Sequence, residues 1–521
     1  MCLIFNLSAD KLAENWFEFK SKNPKVETNP TDGHLDIFEK NYLTKEYIRE
    51  NEIGQNKEDL SDMELDRKEP SQEEEVHEKT TEKTVPENEE EEEMRETVLE
   101  ADEELTAEER NALFRKTIVA SHGTESLEES DFQSTNEVTM TVKPIDESKH
   151  VKQDGCHFCG FNLYEMSCCF EDQLKQAAEF YSRSMGIPFV TDLSQDLIDD
   201  SCYLCFVRKQ PQKVKLNADS MLIEGTGDTY DNETILKHMH VDLSQLPAYS
   251  FFPGQIIAFR GTRVKNTMKI TSLLDPPSIT PEERVFQPLS EPMQILVVSG
   301  PFSSDKEEAL VKQVSDAKPH LIILIGPFVD ARDFDACVDR DDDETFLRTF
   351  VAKLCKAGAQ KVIVVSSMHD LNAVNVVPTP PLSLDHPKAI SFPNPCFFEV
   401  NGIRFAVTSV DILKHMMKQE FSFGLSDRMK RIASHLLSQR RLYPLFPVDR
   451  EANVDYRSYK FLQFPCHPDF LILPSDLKSF VVDVDGCVCL NPERITKGFL
   501  SRIRVKLGEH DVNPHVQIFR V

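Results

Sequence analysis

Gln294-Ile-Leu-Val-Val-Ser-Gly-Pro-Phe302, His320-Leu-Ile-Ile-Leu-Ile-Gly-Pro-Phe328 and Lys361-Val-Ile-Val-Val-Ser-Ser-Met-His-Asp370 decide the fold. Each is a β-branched, apolar run that stops abruptly at Gly or Ser. Strands apolar on both sides are buried on both faces, which points to a parallel sheet covered by helices. A helical pattern over 341–358 separates the second run from the third. It puts Phe346, Phe350, Val351, Leu354 and Cys355 on one face, with an acidic start and Gly358 at the stop. In such sheets ligands bind just past the carboxyl ends of the strands. Here two of those ends carry Pro301-Phe302 and Pro327-Phe328, which can neither hold a metal nor move a proton.

The 521-residue chain has a formal net charge of −29, unevenly spread. Residues 1–150 hold 18 Lys and Arg against 41 Asp and Glu, a net of −23, while 151–521 hold 41 against 47, a net of −6. The acidity belongs to the first 150 residues, and the rest reads as a near-neutral globular body; the whole length suffices for two or three domains. A chain of this sign does not hold nucleic acid chiefly by its own charge. The 13 cysteines are odd in number and scattered, and residues 1–7 are too short an apolar start for a secretory signal. No run approaches the ~18 apolar residues of a membrane span. A soluble, reducing, intracellular setting with no membrane contact is expected.

Residues 1–50 hold one amphipathic pattern, 9–20, with Leu12, Trp16, Phe17 and Phe19, so a short, partly helical segment is expected there. Residues 51–152 are Glu-rich, with an unbroken Glu run over 89–93, and poor in aromatics. Such a composition cannot bury enough apolar area to offset chain entropy. It reads as a disordered acidic linker with a transient helix at 105–119; the alternative is an acidic tail that contacts basic partners. Order is expected to resume near Gly155. A helix over 171–185 leads into short strands over 201–208, 214–224 and 255–260, the last continuing past Gly261 to Ile270. Strands at this spacing suit a small barrel, so 153–290 reads as a helix plus barrel. Residues 291–521 read as the α/β domain, completed by strands at 397–399, 404–408, 470–473 and 488–490. A helix over 426–441 ends on Arg440 and Arg441, where they would complement its dipole.

The strand ends carry a resemblance. Calcineurin-like metallophosphoesterases place Asp-x-His, Gly-Asp-x-x-Asp and Gly-Asn-His-Asp/Glu at successive strand ends, then a lone His and Gly-His-x-His. This chain reads Ser299-Gly-Pro-Phe302, Gly326-Pro-Phe-Val-Asp330 and Ser367-Met-His-Asp370 there. The metal-bridging Asp is Pro327, and only His369 and Asp370, with Asp330 nearby, survive. Leu473-Pro-Ser-Asp476 and Asn491-Pro-Glu-Arg494 stand where the C-terminal His ligands would fall. That pattern of loss resembles the B subunits of replicative DNA polymerases, those of polymerase α–primase most closely. Residues 241–254 (VDLSQLPAYSFFPG), 326–331 (GPFVDA), Ser426-Asp-Arg428 with Gln439-Arg-Arg-Leu-Tyr-Pro444, and Gly486-Cys-Val-Cys-Leu-Asn-Pro492 with Thr496-Lys-Gly498 carry the likeness, from about residue 181 onward.

The resemblance implies a multi-domain α+β and α/β chain. It would have an acidic N-terminal region, an OB-fold β-barrel, and an inactivated phosphoesterase domain layered αββα. It implies no catalysis, no cofactor and a nuclear scaffold role in primer synthesis. The expected partners are the zinc-containing C-terminal domain of the polymerase α catalytic subunit, the primase subunits and replication initiation factors. The equivalent subunit of polymerase δ or ε is the alternative within the class; an active metallophosphoesterase is the alternative outside it. Residues 241–254 and 486–498 hold no plausible catalytic groups, so they are expected either at the junction of the two domains or on the face toward the catalytic subunit.

Other candidates are weaker. Cys156/Cys159 and Cys202/Cys205 are Cys-x-x-Cys pairs, but the second lies in an expected strand, where residues three apart face opposite ways. Cys156, Cys159, Cys168 and His157 leave a zinc cluster open, against free thiols. Cys487 and Cys489 share a strand face and read as core. Arg260, Arg263, Lys265 and Lys269 lie on one barrel hairpin and are nucleic-acid candidates, but Phe259 is the one aromatic among them, so direct DNA contact is weak at most.

Overall fold

The computed structural model describes residues 118–520, apart from 124–126, 135, 153–161, 195–200, 212, 231–232, 278–282, 288, 290, 303 and 334–342. The pattern at 9–20, the Glu-rich run, and Cys156, His157 and Cys159 lie outside the described residues.

In chain order, β1 (Ile118–His122) and β2 (Val142–Pro144) precede the long helix α1 (Leu163–Met185). Asn162 and Glu165 form a capping box at its start, and Gly186 ends it in the left-handed conformation. Then come β3 (Ser201–Lys209), β4 (Met221–Tyr230), β5 (Glu233–Asp242), β6 (Tyr249–Phe251), β7 (Ile256–Val264) and β8 (Thr267–Leu274). Strands β3, β4, β5, β8 and β7 close into a barrel, as the strand spacing predicts. Its interior is filled by Tyr203, Cys205, Val207, Ile223, Met239, Phe259 and Ile270. The outer face of β3 and β7 (Leu204, Phe206, Ile256, Ala258) takes Phe170, Leu174 and Tyr181 of α1. The alternation along β3 thus serves two cores at once. The expected strand at 214–224 starts later: Val214 is 84% exposed, and β4 begins at Met221.

The second part runs β9 (Met293–Ser299), α2 (Ser304–Ala317), β10 (Leu321–Ile325), α3 (Asp343–Ala357), β11 (Lys361–Val365), β12 (Ala389–Phe392), β13 (Cys396–Val400) and β14 (Ile403–Val407). It continues through α4 (Ile412–Gln419), β15 (Phe421–Phe423), α5 (Arg428–Gln439), β16 (Phe470–Ile472), β17 (Phe480–Val484), β18 (Cys487–Asn491), β19 (Phe499–Leu507) and β20 (Val512–Arg520). One sheet has the order β1-β20-β19-β9-β10-β11-β12, the other β17-β18-β16-β14-β13-β2. Strands β9 to β12 run parallel, as expected.

Residue parity sorts the layers. Ile295, Val297, Ile323 and Ile363 face the second sheet, meeting Phe398, Phe405, Phe470 and Val488. Leu296, Val298, Leu324 and Val364 face the other way, onto Leu310, Val314, Phe350 and Leu354 of α2 and α3. On the far side of the second sheet, Ala406, Leu471, Cys487 and Cys489 pack on Ile412, Met416, Ile432 and Leu436 of α4 and α5. The result is four layers, αββα. Between the sheets Phe398, Phe405 and Phe470 stack across neighbouring strands at 5.3 and 5.0 Å, and Phe392 of the first sheet stacks on Phe398 of the second at 5.0 Å.

One boundary is corrected. Residues 118–152 fall inside the linker that composition predicts, yet β1 pairs antiparallel with β20 and β2 with β13, closing one edge of each sheet. Phe132 and Val138 between them are buried. Edge strands need only a few apolar side chains, and averaging over an acidic window conceals them. The barrel is therefore inserted between the edge strands and the body of the α/β domain.

Candidate functional site

The parallel strands converge on a cavity of about 210 Å³ whose lining includes Pro301, Pro327, Asp330, Arg332, His369 and Arg494. Gly300 and Gly326 end their strands in tight quarters. A Cβ on Gly300 would sit 2.0 Å from the Pro327 carbonyl, and one on Gly326 2.7 Å from Asp370 Oδ2. Asp370 is buried, and its carboxylate accepts the backbone N–H of Ser367 at 2.7 Å and that of Phe328. It clamps the second strand-end loop to the third. The Asp330 carboxylate accepts from Arg332 Nε at 2.8 Å and Nη2 at 2.6 Å. Burial opposes its ionisation, but the Arg332 hydrogen bonds outweigh burial and hold its pKa below the usual range. Burial, reinforced by Arg332, pushes His369 down to about 4, so the ring is neutral at pH 7.

The other charged groups of the cavity wall are also paired. Asp411 caps α4 through the Lys414 N–H at 3.0 Å and accepts the Asp476 N–H at 2.8 Å. Glu451 holds Lys414 and Lys418, each at 2.9 Å, and its pKa falls to about 2 through those bonds. His415 is buried against the Tyr443 hydroxyl at 3.2 Å. Asn491, buried at the end of β18, accepts the N–H groups of Ser475 and Glu493, each at 2.9 Å. Arg494 reaches Ser299 Oγ at 2.9 Å and Asp476 at 3.2 Å.

A two-metal phosphoesterase centre needs a bridging carboxylate flanked by imidazoles and free carboxylates. These residues do not fit one. Proline replaces the bridge, Asp370 is spent on backbone N–H groups, Asp330 is held by Arg332, and two guanidinium groups line the space that ions would need. Among the described residues no group of three His, Cys, Asp or Glu is arranged to hold a metal.

The thiols are dispersed. Cys205 is buried inside the barrel, where burial pushes its pKa up, while Cys202 on the same strand is half-buried. Cys168 lies on α1. Cys487 and Cys489 sit 3.9 Å apart, both in the core against α4 and α5.

The basic hairpin is less open than its charge suggests. Arg263 donates to the carbonyls of Leu193 at 3.1 Å and Ser194 at 3.3 Å, and through Nε to that of Lys265 at 3.1 Å. Phe259 is buried in the barrel, stacked on Tyr203 at 5.6 Å, and cannot serve as a base platform. Lys265 is exposed at the turn, Lys269 pairs in register with Thr262, and Arg260 is half-buried.

Residues 241–254 build the mount between barrel and α/β body, through contacts with distant residues that sequence patterns do not display. Strand β6 pairs with β15, and Ser250 Oγ meets Glu420 at 2.9 Å and His435 at 2.8 Å. Phe252 enters the core beneath α4 and α5. Gly254 has φ +97°, and a Cβ there would lie 2.5 Å from Pro444 O and Phe446 N. Arg208 joins Glu224 at 2.6 Å while its guanidinium packs on Phe170, Phe206 and Phe446 at 4.5–4.8 Å. Of the two stretches expected at a junction or partner face, 241–254 is at the junction. Residues 486–498 form β18 and part of the wall of the strand-end cavity.

Comparison with known proteins agrees. The family model for the OB domain of the DNA polymerase alpha B subunit matches residues 199–275, and that for the DNA polymerase alpha/epsilon B subunit matches 295–482. The chain is 34% identical over 309 residues to the DNA polymerase alpha B subunit of Mus musculus, covering 54% of this chain and 50% of the relative. It is 30% identical over 348 residues to that of Schizosaccharomyces pombe, covering 58% and 59%. The chain thus spans about half the length of the curated relatives it matches. Among solved structures, Vps29 from Entamoeba histolytica complexed with zinc aligns at 12% identity and a TM-score of 0.21, over 43% of this chain and 99% of the other. TT1561 of Thermus thermophilus aligns at 15% identity and a TM-score of 0.21, over 43% and 98%. Over the matched residues, barrel and layered body alike, the chain is similar to the B subunits of DNA polymerase alpha.

Proposed function

We propose that the chain is a non-catalytic accessory subunit of the DNA polymerase alpha–primase complex. Its barrel and α/β body together hold the C-terminal domain of the catalytic subunit, and so tie polymerase to primase and to initiation factors in the nucleus. The observation that carries this reading is the mount: a barrel fixed by β6 and β15 to a body whose strand-end carboxylates are already consumed. Phe423 at the end of that ribbon and Leu425 just past it are 59% and 48% exposed, apolar surface suited to a partner. The basic hairpin of Arg260, Arg263, Lys265 and Lys269 contributes weak DNA contact at most.

The test is co-expression of the full chain with the catalytic subunit's C-terminal domain. A 1:1 complex that survives high salt is expected, because an apolar interface is not screened. Separate elution of the two at micromolar concentration overturns the reading.

A further inference from the structure

A second cavity, of about 220 Å³, lies where α1 meets the end of α5, lined by Gln173, Gln176, Phe180, Ser438, Arg440 and Arg441 among others. The two arginines do not extend α5. Arg440 caps it with φ 54°, in the left-handed region, and its guanidinium lies 4.4 Å over the Phe180 ring. Arg441 donates to the side-chain carbonyl of Gln173 and packs 5.8 Å from the Tyr459 ring. Lys149 stands alongside, with Nζ 3.1 Å from the Lys460 carbonyl and 3.5 Å from Gln463 Oε1.

None of these three cations holds a carboxylate among the described residues. Elsewhere the chain does otherwise: Arg208 pairs with Glu224, Arg284 with Asp469, Arg332 with Asp330, Arg431 with Glu420 and Arg494 with Asp476. Partial burial without a counter-ion is unfavourable. Burial pushes Arg441 down to about 10 and lowers Arg440 and Lys149 as well. All three stay charged at pH 7; Arg440 and Arg441 line the cavity and Lys149 stands beside it, bonded to the lining residue Gln463.

We propose that this cavity is a receptor for a carboxylate side chain on an acidic segment of a partner polypeptide. The planar Arg441 fork and the Arg440 guanidinium suit two carboxylate oxygens. Phe180, Phe464 and the amides of Gln176 and Gln463 offer an apolar wall and peptide-type partners beside them. A nucleic-acid strand is disfavoured, because the Arg440 guanidinium lies over the Phe180 ring at 4.4 Å, where a base would have to stack.

The test uses the full chain and a fluorescein-labelled hexaglutamate peptide at near-physiological salt, with inorganic phosphate and an oligothymidylate of equal charge as competitors. Saturable peptide binding is expected, weakened at least about tenfold by Arg440→Asn, a residue that tolerates positive φ, and unchanged by Lys430→Ala on the exposed side of α5. A benzophenone-bearing version of the peptide should cross-link wild-type protein within α1 around Gln176–Phe180, a readout that does not depend on the variant folding. Absence of binding, equal binding by a folded Arg440→Asn protein, cross-links elsewhere, or stronger competition by phosphate or oligothymidylate than by unlabelled peptide each overturns the assignment.

Discussion

Gln439 grips Ile256 at both ends of its amide, accepting the Ile256 N–H at 2.7 Å and donating to the Ile256 carbonyl at 2.9 Å. A helix of the α/β body thereby replaces, for one residue, the neighbouring strand that barrel strand β7 lacks there. Gln439→Ala would leave a half-buried N–H and C=O without protein partners. A loss of about 1–3 kcal/mol is expected, read as a lower denaturant midpoint. Gln439→Glu, which keeps the acceptor but not the donor, should fall between.

Gly254 has no room for a side chain and sits at positive φ. Gly254→Ala should destabilise by roughly 2 kcal/mol or more, since the clash is with the backbone of Pro444 and Phe446 rather than a movable side chain. Differential scanning calorimetry would show it, and an unchanged transition would contradict the mount as described.

Asp370 serves structure where an active phosphoesterase would place chemistry. Asp370→Ala should leave two backbone N–H groups unpaired in the interior and cost about 3 kcal/mol or more. Neither wild type nor variant should hydrolyse bis-p-nitrophenyl phosphate with manganese, magnesium or zinc. Turnover that vanished in His369→Ala would contradict the non-catalytic reading.

His369 and His435 both have folded pKa values near 4, lowered from 6.5 chiefly by burial. Between those values the unfolded chain binds the protons and the folded chain does not. Stability is therefore complete above pH about 6.5 and declines as pH falls toward 4, by at most about 1.4 kcal/mol per unit for each ring. The lowered pKa of Glu420, held by Arg431, Ser250 and Arg428 against burial, extends the loss in the same direction below its usual 4.5. Urea midpoints measured across this range should show the slope, and His435→Gln should make it shallower.

The buried parallel strands were legible because a strand covered on both faces has no polar position, and β-branched enrichment with an abrupt Gly or Ser stop separates it from a buried helix segment. The replacement of the metal-bridging Asp by Pro327 was legible as well, together with the other substituted strand-end positions. The use made of Asp370 was not, since its partners are backbone N–H groups that every sequence has. Arg440 and Arg441 show the same limit. Local pattern puts them in a helix's last turn, serving its dipole. In the structure Arg440 is the C-cap and lies over Phe180, a contact across more than two hundred residues. Arg263 likewise reads as surface charge until the Leu193 carbonyl is seen beside it.

The pairing of β1 with β20 has a consequence for biosynthesis. The ribosome delivers Ile118–His122 some four hundred residues before their partner Val512–Arg520, and β9 waits about two hundred for β19. The barrel can close on the nascent chain, its strands being near neighbours in sequence. The seven-stranded sheet cannot be completed until β19 and β20 have emerged, so parts of its apolar faces stay uncovered through most of elongation.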